Sequence, residues 1–358
     1  MLFVLTFLAA LVISLAAFFM VLRLPGCRNL VPDRQRSRDI HDQPRPRIGG
    51  LILIPLFLAG FGILTHFSFQ GLDMLTWEGH YGGIIFGALA LLGYGIIDER
   101  RDLAWYTQLL LQVIIVLAVV EMDIRIHEIR VPFMGLVNLD WVTGTLAGIE
   151  WIFPADLLAF IWIFAVMNVV NWLDGVDGLA GGVGVVGFSI LAALSLSATV
   201  GQPHIALIAL LLAGLYAGFL WFNFHPSRIF LGTPGSMFLG FILAVLAMVS
   251  GGKIATAGLV LAFPIIDAGF VIVTRLRAGV SIFQADNRHL HHRLLAWGLG
   301  QRQAVLFLYA VSLLFGGSAL VLQTQGKFVA FLVGLAAMGA LYVWLTSMRS
   351  RKPEARKK

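Results

Sequence analysis

Asn168, Asn171, Asp174 and Asp177 recur at intervals of three residues, and Gly178 follows at once. In an α-helix each such step turns about 300°, so the four side chains would drift around the cylinder. A 3₁₀ turn would stack them in one row. Gly175 and Gly178 ease a departure from α geometry and let a ligand come close. Two carboxylates and two carboxamides next to apolar sequence are costly to leave in lipid, so they are expected to hold a ligand. An EF-hand is a poor fit, because its ligand spacing and closing glutamate are missing.

Three other clusters and one isolated residue add chemistry. Asp98-Glu99-Arg100-Arg101-Asp102 would place Asp98 and Asp102 one turn apart if the helix continues into the next span. Asn223-Phe-His225-Pro-Ser227 through Gly232-Thr233-Pro-Gly235-Ser236 joins hydroxyls and glycines ahead of a helix N-terminus, a setting suited to phosphate. Phe230 within it could stack on a base. Arg288-His289-Leu-His291-His292-Arg293 suits a phosphate-rich ligand, since arginine binds phosphate bidentately and histidine can donate. Zinc is the weaker alternative there, because no further His or Cys spacing completes a usual set. Asp267 lies inside an apolar run, about 12 Å along a helix from Arg275, and is either functional or bonded to a neighbouring helix.

The elements that must position these residues are membrane helices. Of 358 residues, 59% are hydrophobic and 12% charged, against roughly 25% charged in globular domains. So few charges could not cover a water-soluble surface. Apolar runs of about 20 residues cross a bilayer. They fall near 2–22, 48–65, 82–97, 103–120, 151–170, 182–199, 204–222, 237–250, 254–274, 304–322 and 327–346, predicting an all-α polytopic protein with eleven transmembrane helices. Residues 121–150 alternate (Ile124, Ile126, Ile129, Val131) and read as a hairpin or surface loop.

If the spans alternate, all Lys and Arg except Arg125, Arg130, Lys253 and Lys327 fall on one side. By the positive-inside rule that side is cytoplasmic, with the N-terminus outside and the C-terminus inside. The net charge of +6 then marks a membrane face rather than a nucleic-acid surface. Residues 1–347 form one transmembrane domain, and 348–358 form a basic tail attracted to anionic lipid. The single Cys27 excludes an internal disulfide framework. All the clusters above sit on the cytoplasmic side or near it. Together they suggest a metal-assisted reaction on an anionic substrate, with a second substrate arriving through the bilayer.

In this order, the clusters resemble the polyprenyl-phosphate N-acetylhexosamine-1-phosphate transferase family. Ile40-His41-Asp42-Gln-Pro-Arg45-Pro-Arg47-Ile-Gly-Gly50 is similar to its first inner-loop motif, and Gly95-Ile-Ile-Asp98-Glu99-Arg-Arg-Asp102 to its acidic motif. The stretch Asn168–Gly178 is the most specific match. Phe222 to Ser236, Pro264-Ile-Ile-Asp267 and Arg288 to Leu295 complete the set.

The resemblance implies transfer of a sugar 1-phosphate, most simply N-acetylglucosamine 1-phosphate, from a UDP-sugar to undecaprenyl or another polyprenyl phosphate. UMP is released at the cytoplasmic face of the cell membrane, and Mg²⁺ or Mn²⁺ serves as cofactor. It assigns catalysis to Asp98, Glu99, Asp174 and Asp177. Metal binding goes to Asp98, Asn171, Asp174 and Asp177, with Asp267 a further candidate. Substrate contacts go to His41, Arg47, Asn168, Asn171, Phe230, Arg288, His289, His291 and His292. The lipid phosphate attacks directly, with Asp98 orienting it or acting as base; a covalent aspartyl intermediate at Asp98 or Asp174 is the competing scheme.

Three departures from the family pattern stand out. Position 99 is Glu where a second Asp is common. Thr233 stands where a metal-binding Asp is usual and can offer only a neutral oxygen. Tyr106 and Gln108 occupy a stretch that often holds Lys. The rival functions are an inactive homologue that binds lipid phosphate or UDP-sugar, and a transporter, which would gather its charges near the midplane. A CDP-alcohol phosphotransferase lacks support, because its longer Asp-Gly…Asp spacing is missing. A homodimer stays open.

Overall fold

The computed structural model describes residues 1–24, 45–66, 79–146, 149–249, 254–281 and 289–349. The chain is an all-α polytopic membrane protein. Its described helices are α1 (Leu2–Arg23), α2 (Gly49–His66), α3 (Gly79–Arg101), α4 (Trp105–Glu121), α5 (Ala155–Leu173), α6 (Leu179–Leu196), α7 (Pro203–Asn223), α8 (Gly232–Val249), α9 (Ile254–Val260), α10 (Ala262–Arg277), α11 (Leu290–Trp297), α12 (Gln301–Ser318) and α13 (Thr324–Arg349). Every expected span meets a helix. Among the described residues, eight helices are long and apolar enough to cross a bilayer, or nine if the pair α9–α10, bent by 73°, is one span. The other two expected spans correspond to α4, of 17 residues, and to α12, which opens on Gln301-Arg302-Gln303.

Several boundaries moved for identifiable reasons. Residues 151–154, expected to open the fifth span, belong to a strand, because an apolar run this short suits a strand as well as a helix. Helix α8 starts at Gly232, five residues ahead of the expected position. Pro234 is tolerated there because a first helical turn has no use for its missing N–H. The acidic motif does not run on into the next span. Helix α3 stops at Arg101, and Asp102 adopts a positive φ of 50°. Between α4 and α5 lie two antiparallel hairpins, β1 (Glu128–Val131) with β2 (Gly135–Asn138) and β3 (Asp140–Leu146) with β4 (Ile149–Pro154).

Helix α8 is the axis of the assembly: every residue from Gly232 to Met248 is buried. At the periphery, α1 buries only Ala10, Ser14 and Phe18 and turns its remaining surface outward. Its Ser14 hydroxyl donates to the Leu215 carbonyl of α7 at 2.7 Å. Beside the N-terminus of α8 the chain passes α2 almost backbone to backbone. A Cβ on Gly50 would fall 2.2 Å from the Gly235 nitrogen, so glycine is required for this approach. Gly49 N and Gly50 N donate to the Phe230 and Leu231 carbonyls at 3.0 and 2.8 Å, which fastens the two segments together.

Candidate active site

The Asn/Asp repeat breaks from helix where its spacing allowed. Asn168 and Asn171 ride the last turns of α5, Asp174 is its C-cap, and Asp177 sits in the turn before α6. Gly178 closes that turn as the N-cap of α6, in the left-handed region at φ 80°, where a side chain would be strained. The turn is clamped from two helices. Gly178 N donates to Asn223 Oδ1 of α7 at 3.1 Å, and the Tyr309 hydroxyl of α12 donates to the Gly178 carbonyl.

Asp177 is buried, and its oxygens are committed. Ser227 Oγ donates to Oδ1 at 2.8 Å. Ser227 N and His225 Nδ1 lie 3.1 and 2.9 Å from Oδ2, with Arg45 Nη1 at 3.5 Å. Arg45 also donates to Ser227 Oγ at 2.7 Å. One carboxylate therefore ties the α5–α6 turn to the α7–α8 loop and to the segment leading into α2. Charge-assisted bonds of this kind are about twice as strong as neutral ones.

The acidic motif arrives from the side. Asp98 and Glu99 are buried at the end of α3. Gln108 Nε2 donates to Asp98 Oδ1 at 2.8 Å, and Thr233 N donates to Glu99 Oε1 at 2.9 Å. The first N–H groups of a helix have no partner within it and carry the positive end of its dipole. Glu99 thus meets the opening of α8 with a negative charge. One turn further in, Ser236 Oγ donates to Asn171 Oδ1 at 2.8 Å. Asn168 Nδ2 donates to Gln112 Oε1 of α4 at 2.9 Å. Asp98, Glu99, Asn168, Asn171, Asp174 and Asp177 are thereby brought to one end of one helix bundle.

Phe230 lies beside two guanidinium groups, with Arg45 and Arg47 each 5.8 Å from its ring centre. Its backbone N donates to the Pro46 carbonyl at 3.0 Å. An aromatic face flanked by arginines suits a stacked base next to a phosphate. His41 and Arg288, both expected to touch substrate, lie outside the described residues.

The histidines come in on α11, a short helix without a side-chain cap of its own. Asp267, buried in α10, supplies that function from another helix. Its Oδ1 accepts from Leu290 N at 2.7 Å, and its Oδ2 is 2.8 Å from His289 Nδ1. His289 stacks parallel to His291 with centroids 5.5 Å apart, and Trp172 of α5 is 6.4 Å from His289. His291 is buried with its Nε2 facing Gly175. Burial, reinforced by the neighbouring His292 and His289, holds His291 well below the usual histidine range, so it stays neutral. Arg293 lies 3.9 Å over the Tyr342 ring, and Trp297 packs edge-on to Trp344, docking α11 on α13.

The expected metal set does not assemble as a cage. Among the described residues no group of three or more His, Cys, Asp or Glu is arranged to hold a metal. Asp177 spends its oxygens on the neighbouring loop and Asp267 on α11, while Asn171 Oδ1 accepts from Ser236. Thr233 brings no charge to the start of α8. Magnesium commonly takes one or two carboxylates and completes its shell with substrate phosphates and water, and this donor set is closer to that pattern than to a protein cage.

Arg45, His225, Ser227, Gln108, Gln112, Ser236 and Tyr309 form part of the site's framework. The sequence marked Arg45, His225, Ser227 and Ser236 only as members of their motifs and Gln108 only as a departure from the family pattern, and it gave Gln112 and Tyr309 no role. Gln108 had one visible signal, a polar residue within an apolar run near the acidic motif. Tyr309 had none.

Comparison with known proteins adds a family. Residues 81–251 match the model for glycosyl transferase family 4. A probable undecaprenyl-phosphate N-acetylglucosaminyl 1-phosphate transferase of Bacillus subtilis is 30% identical over 302 residues, covering 82% of this chain and 77% of its own. A decaprenyl-phosphate N-acetylglucosaminephosphotransferase of Mycolicibacterium smegmatis is 29% identical over 343 residues, 89% of this chain and 82% of its own. A phospho-N-acetylmuramoyl-pentapeptide-transferase of Kosmotoga olearia is 30% identical over 281 residues, 74% of this chain and 80% of its own.

Proposed function

The chain belongs to glycosyl transferase family 4, and on that premise we propose that it transfers an N-acetylhexosamine 1-phosphate to polyprenyl phosphate. The donor is a UDP-sugar, with UDP-N-acetylglucosamine the leading choice, and the acceptor is undecaprenyl or a related polyprenyl phosphate. The observation that carries this is the convergence of Asp98, Glu99, the Asn/Asp turn, Phe230 with its arginines, and the histidines of α11 at one end of the bundle.

The chemistry asks little covalent work of the protein. A phosphate monoester has its second pKa near about 6 and is mostly dianionic at neutral pH. An oxygen of the lipid phosphate attacks the phosphorus that bears the sugar. A new P–O bond forms, the bond from that phosphorus to the bridging oxygen breaks, and its electron pair leaves with UMP. Catalysis is then positioning and charge stabilisation. Asp98, held by Gln108, orients the acceptor or takes any residual proton. Asp174 faces the diphosphate from the turn, and Asn168 and Asn171 hydrogen-bond substrate. Asp177 acts by holding the turn and the α7–α8 loop together. Phe230 stacks on the uracil, Arg47 and Arg288 bind phosphate, and His41, His289, His291 and His292 contact sugar or phosphate. Mg²⁺ or Mn²⁺ is the proposed cofactor; Asp98 and Asp174 would hold it, and it would offset charge on the transferred phosphate.

We place the site on the cytoplasmic face of the cell membrane. Arg23, Arg100, Arg101, Arg275, Arg277 and Arg349 end their helices at the site's end of the bundle, whereas Arg125, Arg130 and Lys327 are at the other. Eleven spans, one transferase domain over 1–347 and a basic tail complete the proposal. The test is purified protein in nanodiscs with UDP-N-acetylglucosamine, undecaprenyl phosphate and Mg²⁺. Release of UMP with a labelled lipid product is expected. Binding of either substrate with no product from any UDP-N-acetylhexosamine would make it an inactive binder.

A further inference from the structure

The two hairpins lie at the end of α4 and α5 remote from the site, and they treat their outward faces in opposite ways. In β1–β2, Ile129 and Val137 pair across and pack inward, while Glu128 paired with Asn138 and Arg130 paired with Leu136 face out, Leu136 being the one large apolar side chain among them. That is the usual arrangement for a sheet with one wet face. In β3–β4 the order is reversed. Val142 pairs with Phe153 and Gly144 with Trp151, so Val142, Trp151 and Phe153 share one face, and all three are exposed. Ile152, on the other face, is buried. Trp141 beside the bulge is 65% exposed, and the β1–β2 turn presents Phe133 and Met134 at 75% and 76%. Large apolar side chains exposed together on one hairpin face and on the neighbouring turn mark an interaction site.

What covers it follows from what it joins. Helix α5 exposes Leu157 and Ile161 one turn apart, and it begins at Ala155, directly after Phe153 and Pro154 of β4. Helix α4 exposes Leu110, Ile114 and Leu117 along its outer side. The hairpin surface therefore prolongs the lipid-facing stripe of these two spans. Its direction is fixed: Arg125 pairs with Asp156 of α5 at 2.8 Å and donates to the Glu150 carbonyl at 2.8 Å, while Ile152 N donates to Asp156 Oδ2 at 2.7 Å. Tryptophan and other aromatics at span ends are the side chains that favour the headgroup layer.

We propose that the β3–β4 hairpin and the Phe133–Met134 turn are a membrane-surface anchor, seated in the headgroup and upper acyl layer of the leaflet opposite the site. The hairpins then act as a fixed stop at the far end of α4 and α5, setting the depth at which Asp98 and the Asn/Asp turn meet a lipid-borne phosphate.

The test uses the full chain with Cys27→Ser, carrying Met134→Cys, Val142→Cys or Glu128→Cys, each labelled with an environment-sensitive fluorophore and reconstituted one copy per nanodisc. Blue-shifted emission at positions 134 and 142, with most of the signal quenched by shallow doxyl lipids, is expected, and position 128 should emit as in water. Water-like emission at 134 and 142 would overturn the proposal. So would a blue shift that doxyl lipids do not quench and that appears only with two copies per disc, since a second chain would then be the partner. As a check free of labels, brominated lipids should quench less tryptophan emission in Trp141→Ser/Trp151→Ser than in the unaltered chain; equal quenching would count against lipid contact.

Discussion

Two regions carry side chains to the site, and they are held in opposite ways. The Asn/Asp turn is tied redundantly: Asn223, Tyr309, Ser227, His225, Arg45 and Ser236 reach it from α7, α12, the α7–α8 loop, the segment before α2, and α8. The histidine helix α11 has its N-terminus bonded to one carboxylate, Asp267, while Leu290, His291 and Leu294 are buried and ring contacts dock it on α13. A redundant clamp keeps its geometry when one member is lost. A single latch does not. Asp98 and Asp174 should therefore fail through chemistry, and the histidines through placement.

The largest effect expected is at the acidic residues that face the reaction. Asp98→Asn and Asp174→Asn should each lower UMP release by about 10²–10⁴-fold, the range for losing a group that acts on the reacting atoms. Thermal unfolding in detergent should be little changed. Near-normal turnover in both would remove them from the mechanism.

Asp267→Asn probes the latch. The amide can still accept from Leu290 N but loses the charged contact to His289, and a hydrogen bond to a charged group is worth about 1.5–3 kcal/mol. The Michaelis constant for the UDP-sugar should rise by about tenfold or more on the same arithmetic, with a smaller change in turnover of bound substrate. Equal losses in both parameters would show that Asp267 acts on the reaction itself.

Asp177→Asn probes the clamp. Several donors share this carboxylate, so its loss should appear first in stability, at about 2–3 kcal/mol, read from chemical denaturation. A variant as stable as the parent yet inactive would return Asp177 to the group that contacts substrate.

The smallest effect is a pH dependence. His291 is held below its ordinary value of about 6.5, mainly by burial. The unfolded chain then binds the proton more readily than the folded one. Stability contributed by the neutral ring is full above that value and declines as pH falls through it towards the depressed folded value. His291→Gln should flatten that decline in a melting-temperature series. An unchanged slope would assign it to other groups.

Much of this was legible from residue types alone. Polar residues at a strict interval inside apolar sequence can only be a site or a fault, so Asn168 to Gly178 announced itself. The partners of Asp177 could not be read in the same way, because Arg45 lies 132 residues away and Ser227 lies 50, and no period connects them. Helix α11 escaped because eight residues are too few for a periodic signal and its cap comes from Asp267, 23 residues before Leu290. The strand Ile149–Pro154 was mistaken for a span opening because Trp, Ile and Phe serve either structure. The helices under the expected spans were legible since length and apolarity mark them. Eight of the described helices, or nine with the bent pair, meet the length and apolarity of a span, but the 73° break between α9 and α10 leaves no such mark.

The meeting of Gly50 with Gly235 sets a limit on how this enzyme class can vary within the present chain. With no room for even one methyl group between α2 and the opening of α8, the backbone there cannot be reshaped by substitution at Gly50. A side chain introduced on either glycine would have to push the two helices apart, so α2 and α8 can change at that crossing only together.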